Sequence, residues 1–524
     1  MVLVRFQKDI MRDYSGLEDK DILEIPWLIG GEARIEEDAF IMEFNPDRPD
    51  LYSIQGITRA IRAFKGIEKY REPKIVDTGF QVECRSPSQR PYFAAGIINN
   101  VNVKKLLVNI IDYQEKLHKT IGRDRKLSAI GLHDLSKVKF PLKYEEVDRD
   151  HNFIPLGLND EMTLREFMKN NEKASEYGYL VGEKIPAITD REGNIISLPP
   201  ILNSNITVID DNTKDIFVDV TGTINNVVNK TLILILSSLS YPDGKLSTVL
   251  INGKKSPEIK RKKIRIPEKQ LKDIIGYKIP VEEIKYSLLK MGYGVEQDGI
   301  IIPEYRFDIL HSVDVVEDII KGIGYDKVKM KEENFVTYGK PNDLRYLENK
   351  IRLLMIGYDM TEVVNNVLTN RSFNKMYGFD DDAIEILNPL SGEQDYIRTR
   401  IAPSLMQSLL NNYRNPYPQR IFEIGTIHRK GKEIESLGIA VAHREASFSE
   451  IKGIFIGLME DLDVKQYDIE RYSLPMFVNG RLAKILINGK EGGFFGEVNP
   501  MILKNIGLKM PVALGEIDIS EVLL

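Results

Sequence analysis

The segment YRFDILHSVDVVEDII places four carboxylates close together. Asp308 ends a strand-like run. Asp314, Glu317 and Asp318 follow at i, i+3 and i+4, the spacing that sets side chains on one helix face. Like charges crowded in this way raise one another's pKa, and a hard divalent cation removes that penalty; oxygen donors suit Mg²⁺. The same pattern has a second reading. Acidic residues in a first helical turn complement the helix dipole, and Ser312 stands where an N-cap would. The opposite face, with Val315, Val316, Ile319, Ile320 and Ile323, predicts core.

A second polar set lies in ISLPPILNSNIT and DIFVDVTGT: Ser197, Asn203, Ser204, Asp219, Thr221 and Thr223. A carboxylate beside hydroxyls on a strand-and-turn pair can orient a water, or it can satisfy its own backbone in an Asx or Thr turn. Arg123, Arg125 and Lys126, near His133, suit either a phosphate or a solvated loop. The basic run of Lys254, Lys255, Lys260, Arg261, Lys262, Lys263 and Arg265 suits RNA phosphates or a linker; without aromatics it predicts no base stacking. There is no GxxxxGK[ST] loop and no HExxH, and the six histidines (118, 133, 151, 311, 428 and 443) show no metal-ligand spacing.

These residues need elements to position them, and the pattern predicts four modules. Residues 1–70 hold FIMEF as a strand, the proline-stiffened turn NPDRPD with Asp50 as N-cap, and a helix whose apolar side is Leu51, Ile54, Ile57, Ile61 and Phe64. Residues 71–254 mix strand patterns (YFAAGIINNVNV, DIFVDVTGT) with a helix over Leu106 to His118; TLILILSSLS is a buried strand or helix that periodicity does not assign. Residues 255–332 read as helix, helix, hairpin, with proline opening and glycine closing each helix and a D-G turn in the hairpin, the order of a winged-helix-like module. Residues 333–524 begin with a helix in RYLENKIRLLMIGYDM and continue with a series of strands including TEVVNNVL, QRIFEIGTI and LGIAVAH. The expected class is α+β.

Composition narrows the function classes. A chain of 524 residues is too long for one core. A net charge of -6 argues against broad, non-specific nucleic-acid binding, while leaving room for a local basic patch. The single cysteine, Cys84, makes no intramolecular disulfide and fits a reducing cytosol. The charged N-terminus and the short apolar runs predict neither a signal peptide nor a membrane span, so the expected location is cytoplasmic.

Four segments, in order and over nearly the whole chain, carry a resemblance. FNPDRPDLYSIQGITRAI resembles the N-terminal module of the phenylalanyl-tRNA synthetase beta subunit; GLHDLSK and FVDVTGT resemble its archaeal and eukaryotic editing module; PEYRFDILHSVDVVEDIIKGIGY is similar to its metal-bearing module. NPLSGEQDYIRTRIAPSLMQSLLNN with YPQRIFEIGTI resembles its degenerate class II synthetase-like domain, whose antiparallel sheet carries no aminoacylation site. The resemblance implies an α2β2 heterotetramer in which alpha binds ATP, phenylalanine and the tRNA(Phe) 3′ end. Beta then supports assembly, helps to position tRNA and hydrolyses mischarged tyrosyl-tRNA. It implies Mg²⁺ on Asp308, Asp314, Glu317 and Asp318, shared with alpha, and editing roles for Ser197, Asp219 and Thr221. No extra tRNA-binding barrel and no anticodon-binding domain of the larger bacterial subunit is evident, so anticodon contacts are expected from alpha; neither membrane nor DNA is an expected partner.

Two other classes are alternatives to this: a free-standing hydrolase of mischarged tRNA, which would deacylate as a monomer, and a non-enzymatic RNA-binding scaffold, which would bind without either activity.

Overall fold

The computed structural model describes every residue except 102, 330–336, 341, 380–382, 430 and 523–524. The chain divides into two compact units, Met1–Glu333 and Asn334–Leu524.

The first unit opens with a three-stranded antiparallel sheet in which Ala39–Phe44 lies between Val2–Gln7 and Gly31–Glu36. Helix Ile54–Phe64 shares its core, burying Ile54, Ile57 and Ile61. Asp50, expected to cap this helix, does not. Ser53 accepts the Gly56 N–H instead, and buried Asp50 is held by Nε and Nη2 of Arg48, both at 2.9 Å. A carboxylate already claimed by an arginine fork leaves the cap to the hydroxyl.

Two sheets pack face to face in the middle of this unit. Five strands run Ile75–Val76, Lys245–Ser247, Tyr92–Asn99, Ile216–Gly222, Ser128–Asp134; seven run Leu202–Asn203, Ile195–Leu198, Ile185–Thr189, Leu142–Val147, Gln81–Cys84, Val249–Ile251, Lys254–Ser256. Between them lie Ile97 and Phe217 from one sheet and Leu142, Tyr144 and Ile188 from the other. The outer face of the five-stranded sheet is covered by helices Leu107–Lys119 and Asn225–Leu239. The second of these contains TLILILSSL, and this C-terminal half is mostly apolar because it is buried nearly all round. A Cβ on Gly96 would come within 2.8 Å of Leu236, so the glycine lets the helix close on the strand. Strand Ser128–Asp134 ends the sheet, so its outer edge has no strand partner.

The unit finishes with helices Glu268–Ile275 and Val281–Lys290, the hairpin Gly294–Glu296 with Gly299–Ile302, and helix Ser312–Ile323. Lys262–Ile264 adds a third strand to the hairpin. Much of the basic run is thereby paired: Arg261 and Lys263 with Glu296, Lys263 also with Asp298, and Lys255 with Asp77 at 2.5 Å.

The second unit is built on a seven-stranded sheet, Thr361–Glu362, Gln419–Arg429, Lys432–Ala442, Val512–Asp518, Lys490–Val498, Phe477–Ile487, Tyr467–Arg471, antiparallel except at the first pair. Strand Lys432–Ala442 is buried on both faces: Leu437, Ile439 and Val441 meet the core under helices Asp343–Gly357 and Phe448–Asp461, while Ala440 and Ala442 meet the core under Ala402–Asn411 and Pro500–Ile506. TEVVNNVL, expected as one strand, is two short ones, Thr361–Glu362 and Leu368–Thr369, in different sheets. No described helix is long and apolar enough to cross a membrane.

Candidate active site

A cavity of about 260 Å³ opens beside the edge strand Ser128–Asp134, between helix Leu107–Lys119 and the Ser197–Ser204 turn. Both Ser197 and Asp219 line it. Asp219 enters through register: it sits opposite Gly131 on the edge strand, and His133 sits opposite Phe217. Gly131 and His133 share a face, as do Asp219 and Phe217, so Asp219 and His133 become diagonal neighbours above Gly131. Nothing larger than glycine fits there, because a Cβ would lie 2.0 Å from Asp219 Oδ2 and 2.9 Å from His133 Nε2.

Asp219 is 1% exposed. Its Oδ2 lies 2.9 Å from His133 Nε2, whereas its Oδ1, equally buried, has no partner among the described residues. Leaving a buried acceptor unsatisfied costs about 1–3 kcal/mol. A polar group held at that cost, in a cavity wall, is a ready acceptor for a ligand's hydroxyl. Ser197 Oγ donates to Asn203 Oδ1 at 2.8 Å, stiffening the opposite wall.

Thr221 is not in the cavity wall. Its Oγ1 accepts from Arg90 Nε at 2.8 Å, and Arg90 also donates to the carbonyls of Thr221 and Arg125. The Thr221 hydroxyl therefore anchors a buried arginine whose position fixes the Arg125 loop. Desolvation pushes the Arg90 guanidinium down to about 10.

The far wall joins Arg125 of the basic loop to Gln114, Glu115 and His118, which the sequence pattern did not single out. Arg125 donates to the Pro200 and Ile201 carbonyls and, at 2.8 Å, to Glu115. His118 Nε2 accepts the Ile130 N–H, so its proton is on Nδ1, facing Glu115 at 3.1 Å. Burial pushes the His118 pKa down. Burial alone would raise the Glu115 carboxyl; His118 and Arg125 overcome that and lower it to about 2. Gln114 donates to the Ile130 carbonyl at 2.7 Å. On sequence Gln114, Glu115 and His118 belong to a helix face with no sign of a site; the one available hint was Arg125 in its basic loop.

The four carboxylates expected to hold Mg²⁺ do not form a cation cage, and no group of three His, Cys, Asp or Glu able to hold a metal occurs among the described residues. The reason is Arg306, whose guanidinium lies 2.7 Å from Asp308 and 2.6 Å from Asp318, all three nearly buried. Burial would push the Asp308 carboxyl up, but Arg306 holds it below the usual range. Tyr293 donates to the same Asp318 oxygen at 2.6 Å. Asp314 folds back to accept the Leu310 and His311 N–H groups, both at 2.7 Å, and Glu317 pairs with Lys321 at 2.9 Å. The expected Ser312 cap is displaced in the same way: helix Ser312–Ile323 begins after His311, closed by Asp314. With Asp308 and Asp318 held by a guanidinium, Asp314 by two backbone N–H groups and Glu317 by Lys321, the four carboxylates in this arrangement do not fit a divalent cation.

In the second unit, Arg398 and Glu423 form a buried ion pair at 2.6 Å, and buried Glu516 accepts the Ile401 and Ala402 N–H groups at 2.8 and 2.9 Å. Both carboxylates serve internal packing.

Over 99% of its length this chain is 32% identical to the phenylalanine–tRNA ligase beta subunit of Methanococcoides burtonii, covering all of that protein. The chain belongs to the phenylalanine–tRNA ligase beta-subunit family. It is a subunit type of an aminoacyl-tRNA synthetase, a ligase of protein biosynthesis. Identity is 33% to the Archaeoglobus fulgidus subunit, over 99% of this chain and 98% of that one, and 38% to a Methanococcus maripaludis subunit, over 91% and 90%. Residues 264–325 match the tRNA synthetase B5 domain, and residues 314–519 match the phenylalanyl-tRNA synthetase beta chain CLM domain. The crystal structure of an N-terminal fragment of the beta subunit from Pyrococcus horikoshii superposes with a TM-score of 0.58 at 28% identity, covering 62% of this chain and all of the fragment.

Proposed function

We propose that this chain removes tyrosine attached in error to tRNA(Phe), in the cavity walled by Asp219, while serving as beta subunit of an α2β2 phenylalanine–tRNA ligase. In this reading the aminoacylation site, with ATP and its Mg²⁺, lies on alpha. Residues 1–70, 71–254 and 255–332 act as N-terminal, editing and winged-helix-like modules, and residues 333–524 as a class II-like domain without aminoacylation chemistry.

The observation that carries the proposal is the unpartnered Oδ1 of Asp219. A pocket shaped for phenylalanine rejects tyrosine weakly, since the hydroxyl adds little bulk; a comparable hydrophobic pocket discriminates against an added hydroxyl by about 100-fold. A site with a buried acceptor works in the opposite sense. Tyrosine's phenol donates to Oδ1, whereas phenylalanine leaves it unsatisfied, and sites of this kind discriminate by as much as ~10⁵-fold. The cavity, at about 260 Å³, falls just below the range of about 300–1,000 Å³ for pockets that bury drug-sized ligands and so suits one amino-acid side chain. Ile130, Leu132, Ile201 and Leu202 supply apolar lining for the ring. Hydrolysis adds water to the ester carbonyl carbon and breaks the acyl C–O bond, releasing tyrosine and a tRNA with its terminal hydroxyl restored.

The partner reading has its own support. Helix Asp343–Gly357 presents Tyr346, Leu353 and Ile356 outward on one face, 71%, 72% and 60% exposed. Large apolar side chains aligned at helical spacing and left in water mark an interaction surface.

The test is deacylation of tyrosyl-tRNA(Phe) and phenylalanyl-tRNA(Phe) by the assembled complex, wild type and Asp219→Asn. Loss of the tyrosyl preference by 100-fold or more in the variant is expected; an unchanged preference overturns the proposal.

A further inference from the structure

His133, within the GLHDLSK segment, is wholly buried, and it is not in the cavity wall. Both its ring nitrogens are engaged. Nε2 lies 2.9 Å from Asp219 Oδ2 and Nδ1 lies 2.7 Å from Thr207 Oγ1. A carboxylate is an acceptor only, so the ring proton is on Nε2; Nδ1 then offers its lone pair to the Thr207 hydroxyl. With a neutral imidazole the hydrogen bonds run from Thr207 through His133 to Asp219.

Thr207 ends the short turn Asn205–Thr207, directly after Ser204 and before Val208, both of which line the cavity. The relay therefore ties strand Ile216–Gly222 to the loop that forms the opposite wall. The imidazole packs against Phe217, ring centres 5.9 Å apart. With Oδ2 committed to His133 and Gly131 lying beneath, the other oxygen of Asp219 is the one left for a ligand.

We propose that His133 is a positioning residue that holds Asp219 by Oδ2, so that Oδ1 faces the substrate and sets the preference for a hydroxyl-bearing aminoacyl ester. It rests on the editing reading above and adds a residue that does not itself touch substrate. Without the imidazole, the Asp219 carboxylate has two unsatisfied oxygens and freedom to turn, and the advantage of a phenol over a bare ring falls.

The test measures deacylation of tyrosyl- and phenylalanyl-tRNA(Phe) by the assembled complex carrying His133→Leu, His133→Gln or Asp219→Asn, with thermal unfolding of each as the check on folding. Glutamine places an amide N–H near the Nε2 position, whereas leucine fills space without a donor. The expected result is a fall of at least tenfold in the tyrosyl-to-phenylalanyl rate ratio for His133→Leu, recovered in large part by His133→Gln. A normal ratio in folded His133→Leu, with Asp219→Asn impaired, overturns the positioning role and leaves the editing reading standing. A ratio lost equally in His133→Leu and His133→Gln, both folded, also overturns it, because the donor would then not be what matters. If Asp219→Asn itself leaves the ratio unchanged, the editing reading falls and the inference with it.

Discussion

The guanidinium of Arg306 lies 2.6 Å from the carboxylate of Asp318, with both side chains at most 3% exposed. The two belong to different elements, a turn after the hairpin and the middle of helix Ser312–Ile323, and the same guanidinium also holds Asp308 at 2.7 Å. The acidic face of that helix is thus stabilised from within the chain.

Replacing Arg306 by methionine removes the shared cation from two buried carboxylates. Breaking one side of a buried pair costs about 3–5 kcal/mol. Urea unfolding of the Arg306→Met chain is expected to show a loss of that order. A loss under 1 kcal/mol, or full rescue by millimolar Mg²⁺, would return the four carboxylates to the cation-cage reading.

The far wall of the cavity gives a pH dependence whose sign follows from two lowered pKa values. His118 is lowered from 6.5, so the unfolded chain binds a proton there first, and its contribution to stability is present above that value and lost as pH falls below it. Glu115, lowered from 4.5 to about 2, contributes fully above 4.5 and loses that contribution as pH falls towards 2. Thermal midpoints of the wild type and Glu115→Gln are expected to differ most near neutrality and to converge below about pH 4.5. A gap that stays constant across the range would contradict the Glu115–His118–Arg125 arrangement.

The outward apolar face of helix Asp343–Gly357 predicts that Leu353→Asp weakens association with an alpha subunit by at least tenfold, since burying a carboxylate there costs far more than burying leucine returns. Because Leu353 is 72% exposed in this chain, the variant's own thermal midpoint is expected to move little. Analytical ultracentrifugation of mixtures checks the first expectation, and unchanged assembly would place the interface elsewhere.

Sequence made some of this arrangement legible and hid the rest for definite reasons. Asp219 and Ser197 stood out because carboxylate and hydroxyl on strand-and-turn pairs are unusual where the neighbours are Val and Ile, and both reached the cavity wall. Thr221 shares the face of Asp219 by strand alternation, but which of the two meets a cavity depends on Arg90, 131 positions away. Gln114, Glu115 and His118 look like the wet side of an amphipathic helix until the sheet edge they lean on is known. In the acidic cluster, repulsion is visible in a spacing pattern and its relief is not: Arg306 is two residues from Asp308, whereas the fold of helix Ser312–Ile323 is needed to bring it to Asp318 as well.

Phenylalanine charging of tRNA(Phe), assayed with the purified chain alone and again after mixing with a candidate alpha subunit, tests the central claim most directly. Silence alone and charging in the mixture is the predicted result. Charging by the chain alone would place an aminoacylation site in residues 333–524, and silence in the mixture as well would contradict the subunit account.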